Sequence, residues 1–386
     1  MPTGSFKNAL YALALPVLGK RLEWKTAEGE PLSRQVTRIL RRHRVVGACV
    51  QRLRNGELAE RYTAGYRSLE PCREPVSEQT IFRTASIAKL VTALLVFRLQ
   101  TLGKLNVCEE MSDFLGYPVQ NPYYPAAPIT LGMLLSHTSS IVDSPLYEKA
   151  LADGWKLKVL LCLSQSFKPA IPGTSFQYSN LAAGAIGSML EARFGESLET
   201  LAQRELFEPL GIHATFDITT LRDEPVADSY RVLPQALAFS AQKRMQSAKP
   251  LAQPEPEHRY TLASGNLYVT TEALGRLALV ARSGGDGFLS DECMKLMKSR
   301  VVRWPDSVTE TWHGMGVLQA SDSRLCAGTV YGHQGIAYGA VNGVFWNDKG
   351  DGYAMLCSGA SERRLGHLTR LNRDLIRLMM NETEKA

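Results

Sequence analysis

Paired cysteines are missing from this 386-residue chain. Its seven cysteines (Cys49, Cys72, Cys108, Cys162, Cys293, Cys326 and Cys357) stand singly, with no C-x-x-C pair and no metal-like grouping. That argues against a disulfide framework and a thiolate zinc site, and reads as reduced thiols in a core, which favours a cytoplasmic protein. A membrane-length apolar run is missing as well. Residues 9–18, an apolar stretch preceded by Lys7, are too short to span a bilayer. They suit either the apolar part of a signal peptide, with a cleavage site near Val17-Leu-Gly19, or a terminal segment docking on the body; docking is favoured. Strong charge imbalance is absent: 44 basic against 38 acidic residues leave a net charge of +6. The basic cluster Arg41-Arg42-His43-Arg44 falls where a first helix, from about Leu32, should end, and positive charge suits a helix C-terminus. No nucleic-acid motif accompanies it. Two common hydrolase signatures are also lacking, the G-x-S-x-G nucleophile elbow and the H-E-x-x-H metal site.

What is present begins with Phe82-Arg-Thr-Ala-Ser86-Ile-Ala-Lys89-Leu-Val-Thr. A hydroxyl and an amine three residues apart share one face of a helix. A lysine held there, partly desolvated and near other cations, can lose its proton and take the one from serine. The pattern alone is weak, because the chain repeats it at Ser240-Ala-Gln-Lys243 in a polar stretch. Two further motifs follow in order. Pro172-Gly-Thr-Ser-Phe-Gln-Tyr178-Ser-Asn180 holds the only Y-x-N in the chain. Tyr331-Gly-His333-Gln-Gly335-Ile336 is the only place where His or Lys stands two residues before Gly. Taken singly, Tyr178 reads as a half-buried aromatic, Asn180 as a helix cap and Gly335 as a turn residue. Their joint occurrence in order points to an active site.

Ser-x-x-Lys, Tyr-x-Asn and His-x-Gly, so ordered and spaced, resemble the serine β-lactamase and penicillin-binding protein superfamily. The resemblance is to its class C β-lactamase-like branch, which includes esterases, D-amino-acid peptidases and transesterases. Residues 129–139, which contain His137, residues 206–212 and residues 263–274 resemble further segments of that branch. The resemblance runs from about residue 35 to about residue 375. It implies an α/β domain plus an all-α one: an antiparallel sheet flanked by helices, with a helical domain inserted. On that basis residues 31–85 and 255–386 form the sheet domain, 86–254 the inserted helical domain, and 1–30 an N-terminal segment. It also implies Ser86 as nucleophile, Lys89 and Tyr178 as the proton-handling pair, and Asn180 bonded to Lys89 and substrate. His333, Gly335 and Ile336 would line the substrate side, with the N–H groups of Ser86 and Ile336 as the oxyanion hole. Such chemistry requires no metal and no cofactor. The expected partner is a small-molecule or short-peptide substrate, with no nucleic acid and no membrane span. The sequence carries no signal for an oligomeric state.

Three activities fit: a serine hydrolase of ester or amide bonds, which is the favoured one; a D,D-carboxypeptidase or D-aminopeptidase on cell-wall-type peptides, which would need export; and a catalytically silent sensor. Intact Ser86, Lys89, Tyr178 and Asn180 argue against the last. The sequence departs from the family pattern at two glycines, now Ser140 and Asn266. Locally, residues 45–53 and 58–65 about Asn55-Gly56 predict one hairpin, and 340–346 and 352–357 a second. Helices are expected at 90–102, ending at Gly103, and at 362–380. The stretch from 103 to 250 reads as helices and loops, and 240–258 as an irregular surface loop.

Overall fold

The computed structural model describes residues 31–305 and 309–381. The N-terminal segment, with its apolar run at 9–18, lies outside the described residues. Nine strands form one antiparallel sheet. In chain order they are β1 (Gly47–Arg54), β2 (Glu57–Ser68), β3 (Glu74–Pro75), β4 (Val302–Arg303), β5 (Glu310–His313), β6 (Leu318–Ser321), β7 (Thr329–Ala337), β8 (Ala340–Asn347) and β9 (Gly352–Cys357). Their spatial order is β3-β2-β1-β9-β8-β7-β6-β5-β4. The β1–β2 hairpin turns at Asn55 and Gly56, whose φ angles of 52° and 82° suit a tight two-residue turn.

Helices cover both faces of the sheet, which is why β8 and β9 are apolar and buried at nearly every position. Alternate residues divide between the faces. Val341, Phe345, Tyr353 and Met355 pack with helices α1 (Pro31–Arg42) and α5 (Arg370–Asn381), through Val36, Leu40, Leu375 and Ile376. Val344, Trp346, Ala354 and Leu356 pack with α4 (Thr271–Ser283), through Leu274, Leu277 and Ala281. On that second side lie α2 (Ala88–Thr101) and α3 (Asn180–Phe194). Both are buried on all sides, as expected of helices apolar around their whole circumference. Truncating one such side chain, for example Leu94, costs about 2–5 kcal/mol.

Three local expectations are corrected. The closing helix starts at Arg370, not near 362, because residues 364–369 fold into a minute hairpin around Gly366, whose φ is 64°. The stretch before 250 holds a β-hairpin, Ser229–Val232 with Gln235–Phe239, which packs Tyr230 and Val232 on Val46. The supposed loop 240–258 contains a helix, Ala241–Ser247, capped by Ser240 accepting from the Lys243 N–H at 3.3 Å. The second Ser-x-x-Lys is therefore an ordinary helix start.

Candidate active site

Ser86 lies in a tight 3₁₀ turn, Ala85–Ile87, that leads directly into α2. The residue before it, Ala85, is held at φ 52°, a left-handed conformation costing roughly 1–2 kcal/mol for an L-residue. Its neighbours hold the turn in place. The Thr84 N–H donates to the Leu267 carbonyl at 2.8 Å, and Asn342 Nδ2 donates to the Arg83 carbonyl at 3.0 Å. The Arg83 guanidinium is clamped by Asn266 Oδ1, with Nε at 3.1 Å and the terminal nitrogen at 2.8 Å. Asn266 thus has a structural reason to stand where the family pattern has glycine.

From the opposite side comes β7. Its neighbour β6 pairs only as far as Gly332, so residues 333–337 have β8 on one side and the Ser86 turn on the other. Gly335 is required by this approach. A Cβ there would overlap the Thr84 carbonyl oxygen and come within 3.2 Å of both the Ala85 Cβ and the Ser86 nitrogen. Backbone cannot yield as a flexible side chain can. Gly335→Ala is therefore expected to displace the strand by a fraction of an ångström or more and reduce turnover about a hundredfold, as small misplacements of reacting groups do. Steady-state kinetics beside a melting curve would check it; wild-type turnover would contradict the close approach.

Lys89 is buried, 5% exposed, and its amine meets three acceptors. Nζ lies 3.2 Å from Ser86 Oγ, 2.9 Å from Asn180 Oδ1 and 2.6 Å from the Ser264 carbonyl oxygen. An ammonium has three donors and satisfies all three. A neutral amine keeps two N–H donors for Asn180 and Ser264 and turns its lone pair to the serine hydroxyl. Asn180 is the first residue of α3, and Ser179 is the cap, accepting from the Ala182 N–H at 3.0 Å. Tyr178 also stands at Lys89, but by its ring: Nζ is 5.2 Å from the ring centroid. Its hydroxyl makes no hydrogen bond to Ser86 or Lys89, and its ring packs on that of His137 at 4.4 Å.

His137, in the left-handed region at φ 58°, accepts weakly from the Ser179 N–H at 3.4 Å. Its role is thus to support Tyr178 and the start of α3. Around it gather three more imidazoles, His313, His333 and His367, with Phe176 and Trp304 completing an aromatic wall. All four histidines are buried. Burial pushes His333 down to about 3, reinforced by His313 and by the charge of Lys89. His313 is lowered to about 4 by burial, with Lys89 adding to it and a bond to the Gly314 carbonyl opposing it. His137 and His367 are held well below the ordinary range, first by burial and then by the neighbouring His313. The wall facing Lys89 is therefore neutral at physiological pH. Among the described residues no group of three or more His, Cys, Asp or Glu is arranged to hold a metal ion.

Ser140, the other departure from the family pattern, adopts φ 66°, where glycine is least strained. Its hydroxyl gains a bond from the buried Asn121 Nδ2 at 2.8 Å. Sequence reasoning missed Asp143, which binds the first turn of α3, and the contributions of Ser264, Asn342, Trp304 and His313. Asp143 stands only six residues beyond His137, yet nothing in the local pattern marks it. Its partners lie 36 to 38 residues away.

A sheet with helices on both faces and a Ser-Lys pair at the head of a buried helix define a penicillin-recognising fold. The chain belongs to the Beta-lactamase family, whose model matches residues 32–376. It is similar to esterase EstB of Burkholderia gladioli, 30% identical over 189 residues, covering 45% of this chain and 47% of that one. Penicillin-binding protein 4 of Amycolatopsis lactamdurans is 28% identical over 144 residues, covering 37% and 38%. These matches span less than half the length of either relative. Among solved structures, the D-amino acid amidase from Ochrobactrum anthropi SV3 superposes with a TM-score of 0.69 at 19% identity, covering 90% of this chain and 97% of that one.

Proposed function

We propose that this protein is a serine hydrolase that cleaves ester or amide bonds through an acyl-enzyme on Ser86. The observation that carries the reading is Lys89 Nζ at 3.2 Å from Ser86 Oγ, with its other two hydrogen-bonding positions taken by Asn180 and Ser264. Neutral Lys89 accepts the Ser86 proton as Oγ attacks the carbonyl carbon. The tetrahedral oxyanion is bound by the N–H groups of Ser86 and Ile336, each worth roughly 3 kcal/mol. The leaving group departs with a proton from Lys89, relayed by the Tyr178 hydroxyl, and water then releases the acyl group. Tyr178 comes into hydrogen-bond reach when substrate is bound, since catalytic bonds commonly tighten in the complex. Labelling with a fluorophosphonate probe, followed by mass mapping, should find the adduct on Ser86; an adduct elsewhere, or none, would overturn the assignment.

Ester or simple amide cleavage is favoured over β-lactam turnover. A lactam carries a carboxylate that a fixed cation would hold, and the third motif supplies His333, kept neutral by burial. The name of one relative, esterase EstB, agrees with that preference. At pH 7.5, p-nitrophenyl butyrate or D-phenylalanine amide is expected to be turned over with higher kcat/KM than nitrocefin. Nitrocefin efficiency of about 10⁶ M⁻¹s⁻¹ or more, within the range of efficient enzymes, would reverse the preference.

A further inference from the structure

β7 passes the Ser86 turn at Gly335 and carries a different environment on either side of it. On the Lys89 side stands His333, kept neutral by burial. On the other side, beyond Ile336, the strand ends in a two-residue turn, Tyr338-Gly339, with φ angles of 54° and 87°. Asparagine, aspartate or glycine is the usual first residue of such a turn. A tyrosine there is strained, and its ring is 48% exposed, so burial does little to offset the strain. Strain retained without burial marks a side chain that serves something else. What the ring covers is a cation. Arg83 Cζ lies 5.0 Å from the centroid of Tyr338 and 5.8 Å from that of Phe239, and the two rings are 5.9 Å apart. Asn266 Oδ1 takes Nε and one terminal nitrogen of this half-buried guanidinium, which leaves the other terminal nitrogen for a further partner. Arg244, exposed on the helix Ala241–Ser247, is close enough for its charge to act on Arg83. Among the described residues neither guanidinium has a carboxylate partner. Two like charges so placed repel, and an anion bound between them relieves that repulsion.

We propose that Arg83 and Arg244 form a carboxylate-binding subsite, walled by Tyr338 and Phe239, that selects acyl groups ending in a carboxylate. This rests on the reading of Ser86 as the nucleophile. The carbonyl under attack lies between Ser86 and the Ile336 N–H. A strand advances roughly 3.3 Å per residue, so Tyr338 stands roughly 6–7 Å further along, the span of about four methylenes. An acyl chain laid along β7 toward the turn brings its far end to Arg83. Its methylenes then rest against the two rings, and its carboxylate meets the guanidinium, whose planar donors match that anion. The substrate class is the half-ester or half-amide of a dicarboxylic acid, adipoyl in preference to hexanoyl.

The test compares mono-p-nitrophenyl adipate with p-nitrophenyl hexanoate, two acyl chains of equal length that differ in the terminal carboxylate. The wild-type protein should favour the adipate by about tenfold or more in kcat/KM, mainly through KM, the size expected of a charge-assisted hydrogen bond. Arg83→Gln and Arg244→Gln should each lower the ratio of the two efficiencies by about fivefold or more. The neutral ester reports any damage to the Ser86 turn in the same preparation, and Arg244→Gln, on a surface helix, carries the test if Arg83→Gln fails to fold. Lys243→Gln removes a neighbouring charge from the same helix and should keep the wild-type ratio. Equal efficiencies in the wild type, a ratio that survives either arginine change, or an equal fall in Lys243→Gln would overturn the subsite and leave the hydrolase reading in place. Calorimetric binding of adipate that is lost in Arg244→Gln, in a protein that neither cleaves the esters nor labels at Ser86, would retain the subsite and remove the hydrolase reading.

Discussion

Ser86→Ala is expected to lower ester turnover at least about a hundredfold, because the loss of a nucleophile cannot be made up by the groups that assist it. The structure concentrates that dependence on one hydroxyl. Ser86 has Lys89 Nζ at 3.2 Å and a turn held by Asn342 and Leu267. Ser240, in the other Ser-x-x-Lys, spends its hydroxyl oxygen on the Lys243 N–H of its own helix. Ser240→Ala should therefore leave the rate as it was and cost about 1 kcal/mol of stability through the lost cap. Rates of p-nitrophenyl acetate hydrolysis for both variants, beside their melting temperatures, provide the comparison. Full activity in Ser86→Ala would remove the mechanism.

The second large effect concerns Lys89 and Tyr178 as a pair. Each single change, Lys89→Ala or Tyr178→Phe, should cost orders of magnitude in kcat, and the double change little more than the worse of them. Tyr178→Phe is an informative substitution here. It keeps the ring over Lys89 and on His137, so what it removes is the hydroxyl alone. Losses that add in the double variant would mean that the phenol and the amine handle protons in separate steps.

Much of this was legible because it is local. Ser86 and Lys89 are joined by helix geometry, and Asn55-Gly56 announces its own turn. The antiparallel sheet flanked by helices was expected from the family resemblance, whereas the order of its nine strands was not read from the sequence. Contacts between distant segments left no local trace. The link from Asp143 to Asn180 exists only because the loop after His137 folds back on the start of α3. His313 carries no motif of its own in the sequence, and only the fold brings it together with His137 and His333 beside Lys89. At residues 240–258 polarity hid a helix whose Ser240 cap was visible in the sequence, because an exposed helix need not show a broad apolar stripe. The helix expected from 362 began late for a different reason: Gly366 permits a left-handed turn that closes a small hairpin first.

The pairing of β1 with β9 sets a condition on how the molecule comes into being. Ala48 through Leu53 have as partners Cys357 back through Gly352, so β1 cannot pair until a strand far behind it along the chain has been made. Contacts so distant along a chain form slowly, and until they form apolar strand edges stay open to other chains. The Ser86 turn depends on the same late event, since Gly335 and Asn342, which hold it, belong to β7 and β8. A nascent chain released before residue 330 would carry Ser86 and Lys89 without the strands that hold their turn. The proposed site is thus complete only once β7 and β8 have been made, and a shorter nascent chain would be the form most in need of a chaperone.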